Sequence, residues 1–174
     1  MGSEAKLKIL IGRERIETVV SRLAAEINRD YQGQELLLIG VLTGAFVFLA
    51  DLVRLLKLPL EVDFIGLSSY GECRESSGQI KVVKHLSAPI AGRQVLVVED
   101  IVDTGLTTAF LMEYLAKKRP ASLKLCTLLD KQSRRKVPLT IDYIGITMPD
   151  KFVVGYGLDC GGKYRHLPDI YFME

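Results

Sequence analysis

The sequence predicts an α/β fold, a mainly parallel twisted sheet flanked by helices, and three observations carry that prediction. Apolar runs of strand length at 36–42, 95–98 and 123–129 are continuous instead of alternating, as in strands covered on both faces. Single helical segments separate them, which calls for crossover connections and a parallel sheet. Hydrophobic residues make up 48% and charged residues 25% of 174, the balance of one soluble domain with a sizeable core.

Taken in order, Ile16, Val19, Val20, Leu23, Ala24 and Ile27 recur at helical spacing and predict an amphipathic helix over about 13–30, ending near Gly33. The run 36–42 reads as a buried strand, broken by Thr43-Gly44 before an apolar helix over about 45–57. Strand character resumes at 60–69, with Val62, Phe64, Ile65 and Leu67. The polar stretch from Tyr70 to Gly78 has no periodicity and is expected to be a mobile loop. A short strand at 80–83 follows, and Ala91-Gly92 introduces the β-branched run 95–98. A helix is expected over 104–118, with Ala109, Met112, Leu115 and Ala116 as its apolar stripe, basic residues 117–119 at its negative end and Pro120 as its stop. The next strand is 123–129, and beyond Pro138 the pattern weakens into short strands and loops. In a parallel sheet ligands bind at the carboxyl ends of the strands, so the loops after Leu42, Val98 and Leu129 are expected to share one rim.

Several function classes drop out. Lys and Arg number 23 against 21 Asp and Glu, a net charge of +2, so nothing supports binding to nucleic-acid backbones. No apolar run approaches the roughly 18 residues of a membrane span, and the polar start lacks a signal peptide's apolar stretch. Cys73, Cys126 and Cys160 are odd in number and never paired as C-x-x-C, which fits a reducing cytoplasm; Cys126 reads as a small core residue. His85 and His166 lack paired spacing and are read as non-catalytic. There is no G-x-x-x-x-G-K-[ST], and the glycines from Gly155 to Gly161 have neither dinucleotide-binding spacing nor a following helix. Gly66-Leu-Ser68-Ser-Tyr70 lacks the final glycine of a nucleophile elbow.

The strongest signal runs from Val95 to Thr108, where apolar strand residues lead into Glu99-Asp100-Ile101-Val102-Asp103-Thr104-Gly105-Leu106-Thr107-Thr108. A Thr/Gly turn opening a helix offers unsatisfied amides and a positive dipole end to a phosphate. Carboxylates beside such a seat make sense when a sugar diol or Mg²⁺ accompanies the phosphate. By itself Asp103-Thr104-Gly105 also fits a plain helix cap, with Glu99 and Asp100 as solvated loop acids.

The full string E-D-x-x-D-T-G-x-T resembles the phosphoribosyl-diphosphate-binding motif of type I phosphoribosyltransferases. From about Ile39 to Arg165 the chain is similar to the hypoxanthine phosphoribosyltransferase family, with motifs in the family's order. The resemblance implies that family's sheet with a small base-binding hood, over one domain spanning 1–174. It implies transfer of the 5-phosphoribosyl group from phosphoribosyl diphosphate to N9 of a 6-oxopurine, hypoxanthine or guanine, releasing diphosphate in purine salvage. A xanthine- or guanine-preferring enzyme stays open, as does, further off, a regulator that senses phosphoribosyl diphosphate on nucleic acid. Mg²⁺ is the implied cofactor, the two substrates are the implied partners, and a homodimer or homotetramer is expected.

Residue by residue, Glu99 and Asp100 would bind the ribose hydroxyls and Mg²⁺, and Asp103 would sit near purine N7 as general base. Residues Asp103, Thr104, Gly105, Leu106, Thr107 and Thr108 would hold the 5′-phosphate. Leu42-Thr43-Gly44-Ala45 resembles the diphosphate loop, where a strained peptide is often found; Thr43 stands where some members carry a basic residue, which should weaken that contact. Ser68-Ser69-Tyr70 resembles the opening of the family's closing lid, and Arg165 would reach the diphosphate. Lys131 would donate to the purine 6-oxo group, selecting against a 6-amino group. In Pro149-Asp-Lys-Phe152-Val153, Phe152 would stack on the purine and Val153 would offer backbone hydrogen bonds, with Ile101 also lining the base. Asp159 would lie near the base edge or a second Mg²⁺. Singly, Phe152 also reads as a core residue and Asp159 as a turn residue.

Overall fold

A computed structural model describes residues 6–69 and 80–173, with Ser69 described by its backbone alone. The elements run β1 (Leu7–Ile11), α1 (Arg13–Asp30), β2 (Leu36–Leu42), α2 (Phe46–Val53), β3 (Leu60–Ser69), β4 (Ile80–Lys84), β5 (Gln94–Val102), α3 (Leu106–Ala116), β6 (Ser122–Asp130), β7 (Tyr143–Thr147), β8 (Val153–Val154) and β9 (Ile170–Met173). A six-stranded sheet has the order β4-β3-β2-β5-β6-β7 and is parallel except between β3 and β4. A second, antiparallel sheet of β1, β9 and β8 forms the small hood.

β2 and β5 sit side by side at the centre, Leu38 opposite Leu96, and both are buried on both faces, which is why their apolar runs do not alternate. Alternate β5 residues feed two cores. Leu96 and Val98 pack with α1, α2 and the hood, whereas Val95 and Val97 pack with α3. The six predicted α1 positions are the six buried ones, because charges on the rest of that helix leave a single face for the core.

Some elements depart from expectation for identifiable reasons. α2 ends at Val53, well before residue 57. The Asn28 side chain of α1 donates to the Leu55 carbonyl and accepts from the Lys57 amide, a tertiary clasp that turns the chain toward β3. α3 buries Thr108, Leu111 and Leu115: Leu115 as expected, but Thr108 and Leu111 in place of Ala109 and Met112; the helix is apolar on nearly every side, so periodicity alone does not select its face. β5 runs on to Val102, so Glu99 and Asp100 lie within the strand and the loop opens after them. β1 carries no strong alternation and forms only because β9, at the far end of the chain, pairs with it. β2, β5 and β6 are parallel neighbours, so Leu42, Val102 and Asp130 end on the same rim.

Candidate active site

The centre of that rim is a contact between a carboxylate and a backbone. Asp100 lies two residues before the end of β5, on the face that Leu96 and Val98 define, against the loop after β2. A Cβ placed on Gly44 would stand 1.7 Å from Asp100 Oδ2, so only glycine permits this approach. The Leu42–Thr43 peptide just before it is cis, and Thr43 itself is exposed. The hood closes on the same loop, since a Cβ on Gly157, at φ +97°, would stand 2.2 Å from the Gly44 carbonyl oxygen. Arg165 donates from Nη1 to the Gly157 carbonyl at 2.6 Å and pairs through Nη2 with Asp159 Oδ1 at 2.8 Å. The Gly162 amide donates to the other oxygen of Asp159 at 2.6 Å. Arg165 and Asp159 are thereby held together beside Asp100.

Burial pushes the Asp100 carboxyl up to about 6, with Asp159 adding to the rise; the Ile101 amide, donating at 2.9 Å, and the Arg165 charge pull the other way. Glu99 continues the Val95–Val97 face and is buried, and burial together with Asp100's charge pushes its carboxyl well above the usual range. The two predicted sugar ligands therefore share a strand end while pointing to opposite faces of the sheet.

Beyond them, Gly105 at φ +81° opens α3 in the left-handed region, and a Cβ there would meet Arg135 Cδ at 2.6 Å. No side chain caps the helix; its first intrahelical bond runs from the Ala109 amide to the Gly105 carbonyl. The amides from Leu106 to Thr108 consequently face outward, save a long 3.5 Å contact from Leu106 N–H to Thr104 Oγ1. The Thr108 side chain is buried. The loop after β6 braces this turn. The Lys131 amide donates to the Val102 carbonyl, the Lys136 amide to the Thr104 carbonyl, and Arg135 pairs with buried Asp130.

Lys131 is only 5% exposed, with Nζ 3.8 Å from Asp103 Oδ2 and 3.8 Å from Asp150 Oδ1. Arg134 lies across the same two acids, 2.8 Å from Asp103 Oδ1 and 3.2 Å from Asp150 Oδ2, and both hold its guanidinium in the charged form. Phe152 is 50% exposed, which removes its reading as a core residue, while Val153 next to it is buried and pairs with Phe172. Ile101 is partly buried against the first core. Ser69 ends β3; its side chain and all of Tyr70 lie outside the described residues, as do Cys73 and the expected loop. His85 faces the Tyr114 hydroxyl at 3.2 Å, and Cys126 is wholly buried in β6.

Sequence reasoning missed Arg134, Arg135, Asp130 and Asp150. The run Lys131-Gln-Ser-Arg-Arg-Lys136 is rich in cations, but nothing in its spacing distinguishes the residue that turns inward toward Asp130 from the one that faces Asp103.

Comparison with known proteins bears on the chain as a whole. The phosphoribosyl transferase domain family matches residues 11–160. A hypoxanthine-guanine phosphoribosyltransferase of Aquifex aeolicus is 49% identical over 97% of this chain and 96% of its own length. One from Bacillus subtilis is 46% identical over 94% and 91%. A crystal structure of a hypoxanthine-guanine phosphoribosyltransferase from Bacillus anthracis has TM-score 0.89 and 46% identity, covering 99% of this chain and all of that one.

The Asp100 shift carries a sign. A carboxyl raised from 3.8 to about 6 on folding contributes stability that is intact below about pH 4 and lost as pH rises through about 6. Asp100→Asn is therefore expected to match the native protein's melting temperature near the acid end and to exceed it by several degrees above about pH 7. Thermal melts across pH check this; a gain that does not grow with pH contradicts it.

Proposed function

We propose that this chain, which belongs to the phosphoribosyl transferase family, transfers the 5-phosphoribosyl group of phosphoribosyl diphosphate to N9 of hypoxanthine or guanine, releasing diphosphate. The observation that carries the choice of base is Lys131, a buried ammonium able only to donate, held 3.8 Å from Asp150, two residues before the half-exposed Phe152. A 6-oxo group accepts from it, whereas a 6-amino group leaves donors facing donors.

In this reading Phe152 stacks on the purine, and Ile101 and the Val153 backbone line its edge. The outward amides from Leu106 to Thr108, with Thr104 and Gly105, seat the 5′-phosphate, and Glu99 and Asp100 receive the ribose hydroxyls. The Gly44 backbone, Thr43 and Arg165 hold the diphosphate; the Ser69 side chain and Tyr70, also expected to contact it, lie outside the described residues. Holding both substrates in line makes attack by N9 at C1′ effectively intramolecular. As the C1′–O bond breaks, Arg165 and the Gly44 loop stabilise the growing negative charge on the leaving group. Asp103 takes the proton that the purine sheds at N7, and its place beside Lys131 brings N7 and the 6-oxo group to adjacent partners.

We assign Mg²⁺ as the cofactor. Among the described residues no three acidic, His or Cys side chains form a preformed cage. A hard cation would be held by Asp100, with Asp159 close by, together with substrate oxygens and water; Glu99, expected to share it, points to the opposite face of the sheet and is not placed to do so. Bound there, it supplies charge neutralisation to the diphosphate. Asp100, kept partly neutral by burial, favours such a counter-charge when ionised. Free Cys126 and Cys160 suit the reducing cytoplasm as the place of reaction.

Diphosphate release measured with each purine, with and without Mg²⁺, tests the assignment. Turnover is expected with hypoxanthine and guanine and to depend on the metal; turnover with adenine alone overturns it. In the same assay Asp103→Ala should retain nucleotide binding but lose roughly 10²–10⁴-fold in kcat, and an unchanged kcat removes Asp103 from the mechanism.

A further inference from the structure

Four charged side chains at the base end of the rim form a closed ring, although they come from three separate connections. Asp103 follows β5, Lys131 and Arg134 follow β6, and Asp150 precedes β8. Each acid touches both cations: Lys131 Nζ is 3.8 Å from Asp103 and 3.8 Å from Asp150, while Arg134 is 2.8 Å from the first and 3.2 Å from the second. The distances are unequal in a telling way. Arg134 hydrogen-bonds Asp150 and forms a close ion pair with Asp103, whereas Lys131 stands beyond hydrogen-bond reach of either acid. Its ammonium is thus compensated as a charge on two sides, but its donors remain uncommitted. Lys131 is buried and the other three side chains are about half exposed, so the cation that needs compensation is the one inside.

We propose that Asp150 and Arg134 are positioning residues that centre the Lys131 ammonium between two carboxylates and thereby set selection at the purine 6-position. Arg134 fixes the two acids apart. If it released them, either acid could draw Lys131 into a direct ion pair and consume the donors meant for the base. Asp150 balances Asp103, so Lys131 is not pulled toward the group assigned to take the purine's proton. The inference rests on the reading of Lys131 as the 6-oxo donor and extends it to two residues that touch no substrate.

The test uses the full chain and four variants, assayed with hypoxanthine, guanine and adenine at saturating phosphoribosyl diphosphate and Mg²⁺. Asp150→Asn keeps the shape and removes the charge. It is expected to raise the KM for hypoxanthine and guanine about tenfold. The KM for phosphoribosyl diphosphate should stay unchanged and the margin over adenine should narrow. Asp150→Glu should recover most of the loss. Arg134→Gln should behave like Asp150→Asn, since it frees the same acids. A general loss of fold would raise both substrates' KM values and lower the melting temperature, so that pattern, or an unchanged purine KM in Asp150→Asn, overturns the proposal. Lys131→Ala separates the layers. If it abolishes purine selection while Asp150→Asn does not alter it, the positioning inference alone fails; if Lys131→Ala leaves selection intact, the 6-oxo reading fails and this one with it.

Discussion

The candidate site depends on one close approach, the Asp100 carboxylate resting against Gly44. Two adjacent parallel strands, β2 and β5, end on the same rim, but their loops could lie apart. What joins them is the missing side chain at Gly44, which lets an acid come within van der Waals contact of the loop backbone. Gly157 repeats the device from the hood, resting on the Gly44 carbonyl, and Arg165 locks that turn by holding the Gly157 carbonyl and Asp159 together. The sheet, the loop after β2 and the hood therefore meet at a point where no side chain larger than hydrogen fits.

That meeting sets the electrostatics. Glu99 is buried and Asp100 partly buried near the end of a central strand, without a cation directly paired to them among the described residues, and desolvation raises both carboxyls. Such a site is costly to the apo fold and favours whatever brings positive charge and hydroxyl donors to it. A few ångströms along the rim the logic changes sign. The Asp103, Lys131, Arg134 and Asp150 ring is charge-balanced, and the outward amides of α3 sit between the two regions. A ligand with a diol and a diphosphate at one end and a neutral heterocycle at the other matches that gradient.

Much of this was legible in the sequence, and the limits are physical. The central strands were readable because burial on both faces removes alternation, and α1 because charges leave it a single apolar face. The motif from Glu99 to Thr108 marked the site because strand, acids and glycine turn occur in one continuous segment. α3's buried face was not readable in a helix apolar nearly all round, and the end of α2 was set by Asn28, which lies far away in sequence. Nor could spacing reveal that Glu99 and Asp100 point to opposite faces, since that follows from β5 extending past them to Val102. Arg134 and Asp150 are invisible for the same reason: their partners are brought to them by the fold, and each alone is an ordinary surface charge.

The central claim is that one ligand spans the Asp100–Gly44 contact, its ribose on the acid and its diphosphate on the loop. Gly44→Ala tests it most directly, because the added methyl enters that contact and nothing else. Calorimetric titration of the folded variant with phosphoribosyl diphosphate and Mg²⁺ should give an affinity lower than the native protein's by about tenfold or more, a loss of at least ~1.4 kcal/mol. An unchanged affinity would mean that the ligand does not bridge the two strands, and the account would be wrong at its base.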